Sequence, residues 1–189
     1  MNQAQCGNLQ LEICQNARLL DGMPTRIPRW YALFTEHQHE KKVVRQLHQR
    51  KLEAFCPTYQ EQHIWRNRQK KTIELPLFPS YVFAQLRSDE YYKALMLTSV
   101  HRIVGTSSGP VAVSDQEIQF LRRDAIRTQC KPYKGLAIGE RVRIRSGPME
   151  GVEGVLTRHH NAVALVVSVA AINQSVSLHI DASVVDRIS

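Results

Sequence analysis

"LPLFPSYVFAQL", Leu75 to Leu86, closes a stretch that opens with the cationic run Arg66-Asn67-Arg68-Gln69-Lys70-Lys71. It sets three aromatics, two prolines and an aliphatic run side by side. A strand buried on both faces asks for such a composition, and so does a strand end offered to a partner. In either case period-two alternation puts Tyr81 and Phe83 on one face. The sheet around the stretch has to decide between the two.

Upstream, "RWYALFT" (Arg29 to Thr35) is aromatic, apolar and of strand length, and reads as the first, central strand. Glu36 to Glu53 is helix-forming, with Val43, Val44 and Leu47 on one side and Lys41, Lys42, Arg45, Arg50 and Lys51 around them. "AFCPTYQEQHIW" (Ala54 to Trp65) reads as a strand broken near Pro57. The Arg/Lys-rich run then becomes an exposed hairpin tip, and a return strand carries the chain through Thr72 to Leu75.

Downstream, "SYVFAQL" is a further strand. Ser88-Asp89-Glu90 supplies an N-cap and acidic first turn for a short helix bearing Tyr91, Tyr92, Leu95 and Met96. "HRIVGTSSGPVAVSD" reads as a strand, a glycine turn and an edge segment. Ser114 and Glu117 have capping-box spacing, which starts a helix over Asp115 to Thr128. This order predicts an α+β sandwich with an antiparallel sheet and helices over one of its faces.

At Lys131 the texture changes: Pro132 and Gly135 punctuate the chain and no helical pattern resumes. We read a first domain over residues 29–130, a linker over 131–136 and a second domain over 137–189. The second domain holds the short β-rich runs "RVRIRS", "EGVLTR", "AVALVVSV" and "SVSLHI", which predict a small barrel. Residues 1–28 have no clean period, apart from a short helical candidate in "NLQLEICQNARLL", and read as a flexible extension.

A net charge of +8 and a pI near 9.6 favour a polyanionic partner such as DNA, RNA or the acidic surface of a large assembly. No apolar stretch approaches the roughly 18 to 20 residues that cross a bilayer, and the N-terminus has no secretory pattern, so we expect a cytoplasmic monomer without a membrane role. Cys6, Cys14, Cys56 and Cys130 form no C-x-x-C pair, which argues against a zinc site or a disulfide framework. His37, His39, His63, His159 and His160 have no carboxylate or cysteine at ligand spacing, and no glycine-rich phosphate loop exists. We therefore expect no metal, no cofactor and no catalysis, with His159 and His160 in a hairpin turn.

"GERVRIRSGPMEGVEGVLTR" (Gly139 to Arg158) reads as a strand, a tight Gly147-Pro148 turn, a polar loop through Gly151, and then Gly154, where a side chain would obstruct a neighbouring strand. The stretch resembles a KOW motif, with Gly147, Gly151 and Gly154 as its glycines. Ahead of it, "RWYAL", a helix, "FCPTY", a basic hairpin, "LFPSYVFAQL", "TSVHRIVG" and "PVAVSDQEI" occur in the order and near the spacing of the NusG N-terminal domain. The chain thus resembles the NusG/RfaH family of bacterial transcription elongation factors over Arg29 to Ile188. Its tail, "INQSVSLHIDASVV", looks like that of the specialised antiterminator paralogues.

The resemblance implies an N-terminal NusG-type α/β sandwich followed by a C-terminal KOW barrel. It also implies a transcription elongation and antitermination factor that grips the clamp helices of the largest RNA polymerase subunit and suppresses pausing or termination. The gripping residues it implies are Phe34, Phe78, Tyr81 and Phe83. Lys42, Arg45, Arg50, Arg66, Arg68, Lys70 and Lys71 would face phosphates of upstream or non-template DNA, giving salt-dependent affinity with little sequence information. Gln46 and Gln49 replace the His and Arg of the base-reading relative, so base recognition is not implied. In housekeeping relatives the barrel binds a termination factor or a small-subunit ribosomal protein through a Phe-Gly-Arg loop. Ile172-Asn173-Gln174 stands there in this chain, which puts both partners in question.

In RfaH the last domain refolds as helices; the Val- and Ile-rich barrel here predicts no such switch. An RNA-binding or ribosome-associated KOW protein would also suit the charge, but leaves the aromatic strand unexplained.

Overall fold

The computed structural model describes residues 27–64, 70–133, 139–159, 162–180 and 184–188. The extension up to residue 26 with its helical candidate, the hairpin tip with Arg66 and Arg68, and His160 lie outside the described residues.

Strand β1 (Arg29–Thr35) is the hub of the first domain. Its neighbours are β5 (Tyr81–Leu86) on one side and β6 (Val100–Ile103) on the other, both antiparallel, with β2 (Ala54–Phe55) outside β5. After β6 the chain makes a small hairpin of β7 (Gly105–Thr106) and β8 (Gly109–Pro110), and the two-residue strand β9 (Ala112–Val113) then pairs with β1 at Trp30 and Tyr31. Alternation along β1 sorts side chains to two faces. Tyr31 and Leu33 join Val43 and Leu47 of α1 (Glu40–Gln49) and Ala94 of α2 (Tyr91–Leu95) in one buried cluster. Trp30 and Ala32 face the other way, toward Phe83, Val113, and Ile118 and Leu121 of α3 (Asp115–Leu121). Helical residues therefore cover both faces of the sheet, not one.

Pro57 breaks the predicted second strand so completely that its halves enter different sheets. β2 joins the central sheet, whereas β3 (Thr58–Ile64) pairs with β4 (Lys70–Pro76) in a separate two-stranded arm, in register from Thr58↔Pro76 to Ile64↔Lys70. Glu74 moors this arm: its carboxylate accepts from the Thr58 hydroxyl at 2.7 Å and from Lys41 of α1 at 3.1 Å, and pairs with Arg127 at 3.7 Å. The Thr58 bond, followed by Lys41, holds the Glu74 carboxyl below the usual range. Ser88 does not cap α2 as expected. It sits in a 3-10 turn over Ser88–Glu90 with its hydroxyl buried and unbonded, and Glu90 closes the turn by accepting the Arg87 N–H.

The helix expected over residues 115–128 is two helices, α3 and α4 (Ile126–Gln129). In one straight helix Ile126, five residues past Leu121, would point about 140° away from it. The break brings Ile126 (1% exposed) into the same core as Leu121 (3%).

The second domain is a six-stranded antiparallel sheet ordered β10-β14-β13-β12-β11-β15. Its strands are β10 (Cys130–Tyr133), β11 (Glu140–Ile144), β12 (Glu153–His159), β13 (Ala162–Val169), β14 (Gln174–His179) and β15 (Val185–Arg187). Val142, Ile144, Leu165, Val169, Val176 and Leu178 fill its inside. Gly154 is where the sequence requires it: a Cβ there would lie 2.5 Å from the Val166 carbonyl oxygen. Gly147, at φ +98°, makes the expected tight turn.

The stretch expected to link the domains begins as a strand. β10 follows α4 with no intervening residue and pairs with β14 through Cys130↔Leu178 to Tyr133↔Ser175. Pro132 is tolerated because β10 is an edge strand. The barrel also lies against the first domain. Arg123 donates to the carbonyls of Pro148 (3.2 Å) and Glu150 (2.9 Å), and Glu117 accepts the Ala170 N–H at 2.9 Å. One buried apolar cluster runs through both domains.

Candidate docking surface

The four aromatics expected to form one patch divide by depth. Tyr81 and Phe83 do share a face, and so does Phe34, which lies directly across from Tyr81 in the β1–β5 register. Phe83 (0% exposed) and Phe78 (1%) are nonetheless interior residues. Phe83 stacks on Phe55 at 5.5 Å and meets Phe78 edge-on at 6.0 Å. Trp30 packs edge-on against Phe55 at 5.4 Å, and the Arg122 guanidinium covers both rings, 4.6 Å from Trp30 and 5.0 Å from Phe55, while pairing with Glu53.

Phe34 and Tyr81 are half-buried, with ring centroids 5.5 Å apart, and Phe34 stands outside both buried clusters. Two exposed residues of β6 frame it. The His101 ring is 5.7 Å away and the Arg102 guanidinium lies 5.5 Å over the Phe34 face. A register shift puts both there. Phe34 pairs with Arg102 and Thr35 with Val100, so His101 is the extra residue of a β-bulge, and bulges of this kind re-aim side chains at sheet edges. The sequence reads the start of "HRIVGTSSGPVAVSD" as a plain strand, with no bulge. The one available signal was the pair of consecutive polar residues, which breaks alternation in a short strand.

The turn that delivers Tyr81 is unusual. In Phe78-Pro79-Ser80-Tyr81 the Tyr81 N–H donates to the Phe78 carbonyl at 3.2 Å, and Ser80 has φ +67°. Proline second and a left-handed third residue is the type II pattern, which normally takes Gly or Asn at the third position.

The expected cations surround this surface more loosely. Lys42 and Arg45 are exposed on α1 and Arg50 is exposed at its C-cap, where it donates to the Lys93 carbonyl. Lys70 and Lys71 are exposed at the far end of the β3–β4 arm. In the barrel, Ile172 is buried (7% exposed) in a 3-10 turn, and Asn173 after it is left-handed at φ +50°. Among the described residues, no three His, Cys, Asp or Glu side chains converge as a metal site, and no helix is long and apolar enough to cross a membrane.

Comparison with known proteins gives the chain, as a whole, its relatives. A family model described as transcription termination factor nusG matches residues 28–122. The transcription termination/antitermination protein NusG of Pseudomonas aeruginosa is 28% identical over 175 residues, covering 85% of this chain and 98% of that protein. Its Borreliella burgdorferi counterpart is 24% identical over 181 residues, covering 84% and 98%. Among solved structures, Thermotoga maritima NusG, reported for its domain interaction, aligns over 86% of this chain and 98% of its own with a TM-score of 0.53 and 22% identity, a likeness of fold.

Proposed function

The chain belongs to the NusG family, and from that premise we propose that it is an elongation and antitermination factor that docks on the clamp helices of the largest RNA polymerase subunit and suppresses pausing or termination. The relatives' shared designation as termination/antitermination proteins supports the broad class. The observation that carries the finer reading is the half-buried Phe34–Tyr81 pair where β1 ends and β5 begins, framed by the exposed His101 and Arg102 of the edge strand β6. Rigid aromatics offer large apolar area at low entropic cost, and a polar rim carrying the Arg102 charge suits the polar edge of an amphipathic helical hairpin. Phe78 and Phe83 support this pair from the interior. The protein acts by binding, without a reaction of its own.

Lys42, Arg45, Arg50, Lys70 and Lys71 take upstream or non-template DNA through its phosphates, which predicts strong salt dependence and little sequence preference. The buried Ile172 offers no aromatic to a termination factor or a small-subunit ribosomal protein, which favours antitermination over recruitment. The RNA-binding alternative has less support. Among the described residues, outward arginines of the barrel are matched by acids, with Arg143 on Glu153, Arg145 on Asp186 at 3.8 Å and Arg187 on Glu140 at 3.0 Å.

The test is binding to core RNA polymerase, comparing wild type with Phe34→Ala/Tyr81→Ala. This pair is partly exposed, so the variant stays folded by circular dichroism. Loss of about tenfold or more in affinity is expected for central aromatic anchors. Equal binding by both proteins rejects the docking surface.

A further inference from the structure

Glu40 is the first residue of α1, yet it is only 2% exposed, and carboxylates are seldom that deep without a dedicated partner. Its Oε1 accepts the backbone N–H of Ser80 at 2.7 Å. On the other side of the same residue, the Ser80 carbonyl accepts the Thr35 N–H at 2.8 Å. Both backbone groups of the left-handed serine are therefore held, one by the end of β1 and one by a buried charge.

Resting on the docking function above, we propose that Glu40 is a positioning residue for the aromatic surface: by holding Ser80 in its left-handed conformation, it sets where Tyr81 stands against Phe34. Ser80 lies between the two aromatics of the turn, so its backbone angles fix the direction in which Phe78 leaves toward Phe83 and Tyr81 toward Phe34. A serine does not hold φ +67° unaided, since its Cβ opposes that conformation, whereas a glycine would. The conformation persists because the surroundings over-determine it. An ionised acceptor in a water-poor site makes a stronger hydrogen bond than a neutral one, and the N-terminal end of α1 favours the negative charge. The same side chain joins α1, with exposed Lys42 and Arg45, to the aromatic turn, so the helix and the docking surface keep a fixed relation.

The experiment uses the full chain as wild type, Glu40→Ala, Glu40→Gln and Glu40→Ala/Ser80→Gly, with two readouts: affinity for core RNA polymerase, and NMR cross-peaks between the Phe34 and Tyr81 rings. Glu40→Ala should weaken binding about tenfold, the loss of one buried charge-assisted hydrogen bond, and should erase or shift the ring cross-peaks. Glu40→Gln, which keeps a carbonyl acceptor, should lose less. Ser80→Gly in the Glu40→Ala background should restore most of the affinity, because glycine needs no external hold; a general loss of stability would not be cured this way. Unchanged binding in Glu40→Ala, or a loss that Ser80→Gly leaves untouched, overturns the inference. If wild type itself fails to bind polymerase, the docking function falls, and the cross-peaks still judge Glu40: intact peaks in Glu40→Ala, or in Glu40→Gln should the alanine variant not fold, overturn it.

Discussion

Phe83 and Phe34 are both aromatics of one sheet face, and substitution should separate them cleanly. Phe83→Ala opens a cavity between Phe55 and Phe78 and should destabilise the protein by about 3 to 5 kcal/mol; Phe34→Ala should cost about 1 kcal/mol or less while taking most of the polymerase affinity. Urea unfolding beside a binding titration checks both. Period two made their common face legible in the sequence. It could not give depth, which is decided by what α3, α4 and the barrel lay over each ring. The bulge at His101 was illegible for a similar reason, since a one-residue register shift is a property of two strands together. The cysteines make a further prediction. Burial pushes the Cys130 thiol from 9.0 up to about 12, and burial followed by the Glu40 charge does the same for Cys56. Both should resist iodoacetamide in the native state at neutral pH. Because the folded protein holds these protons more tightly, their contribution to stability is complete below pH 9 and is lost as pH rises toward 12. Urea melts stepped across that window should show the decline, and Cys130→Ala should flatten part of it.

Elements with a local chemical signature were the ones the sequence revealed. The capping box is present as read: the Glu117 N–H donates to the Ser114 hydroxyl at 3.2 Å and Glu117 accepts the Ser114 N–H at 3.0 Å. Ser114→Ala should lower stability by about 1 kcal/mol, measurable as a shifted urea midpoint with an unchanged slope. The Val43 and Leu47 stripe of α1 and the glycine approach at Gly154 were equally local and equally legible. The break between α3 and α4 was not. Residues 122–125 carry no proline or glycine to announce it, and its cause is the distant core that Ile126 enters. Pro57 did announce a break, but whether the two halves would share a sheet depends on the Glu74 mooring, which reaches α1 and α4 across long stretches of chain.

Over the whole molecule, the seam between the domains combines the shared apolar cluster with polar contacts from Arg123 and Glu117. Arg123→Ala combined with Glu117→Ala removes three of them. The pair should favour separated domains, seen as a larger radius of gyration in solution scattering, with each domain's circular dichroism intact. Composition and the KOW glycines were enough to mark where the texture of the chain changes. They could not show that the change point is itself a strand, because pairing of β10 with β14 joins residues more than forty apart in sequence.

That strand has an arithmetic consequence. While β10 stays zipped to β14, α4 runs straight into the barrel and the two domains move as one piece. Once its four residues peel away, they become a leash behind α4 with a root-mean-square span of about 11 Å. A leash that short keeps the barrel at an effective concentration in the millimolar range beside its own seat. Diluting the protein therefore cannot open it, and any partner that claims the α3–α4 face has to outbind a resident ligand that never diffuses away.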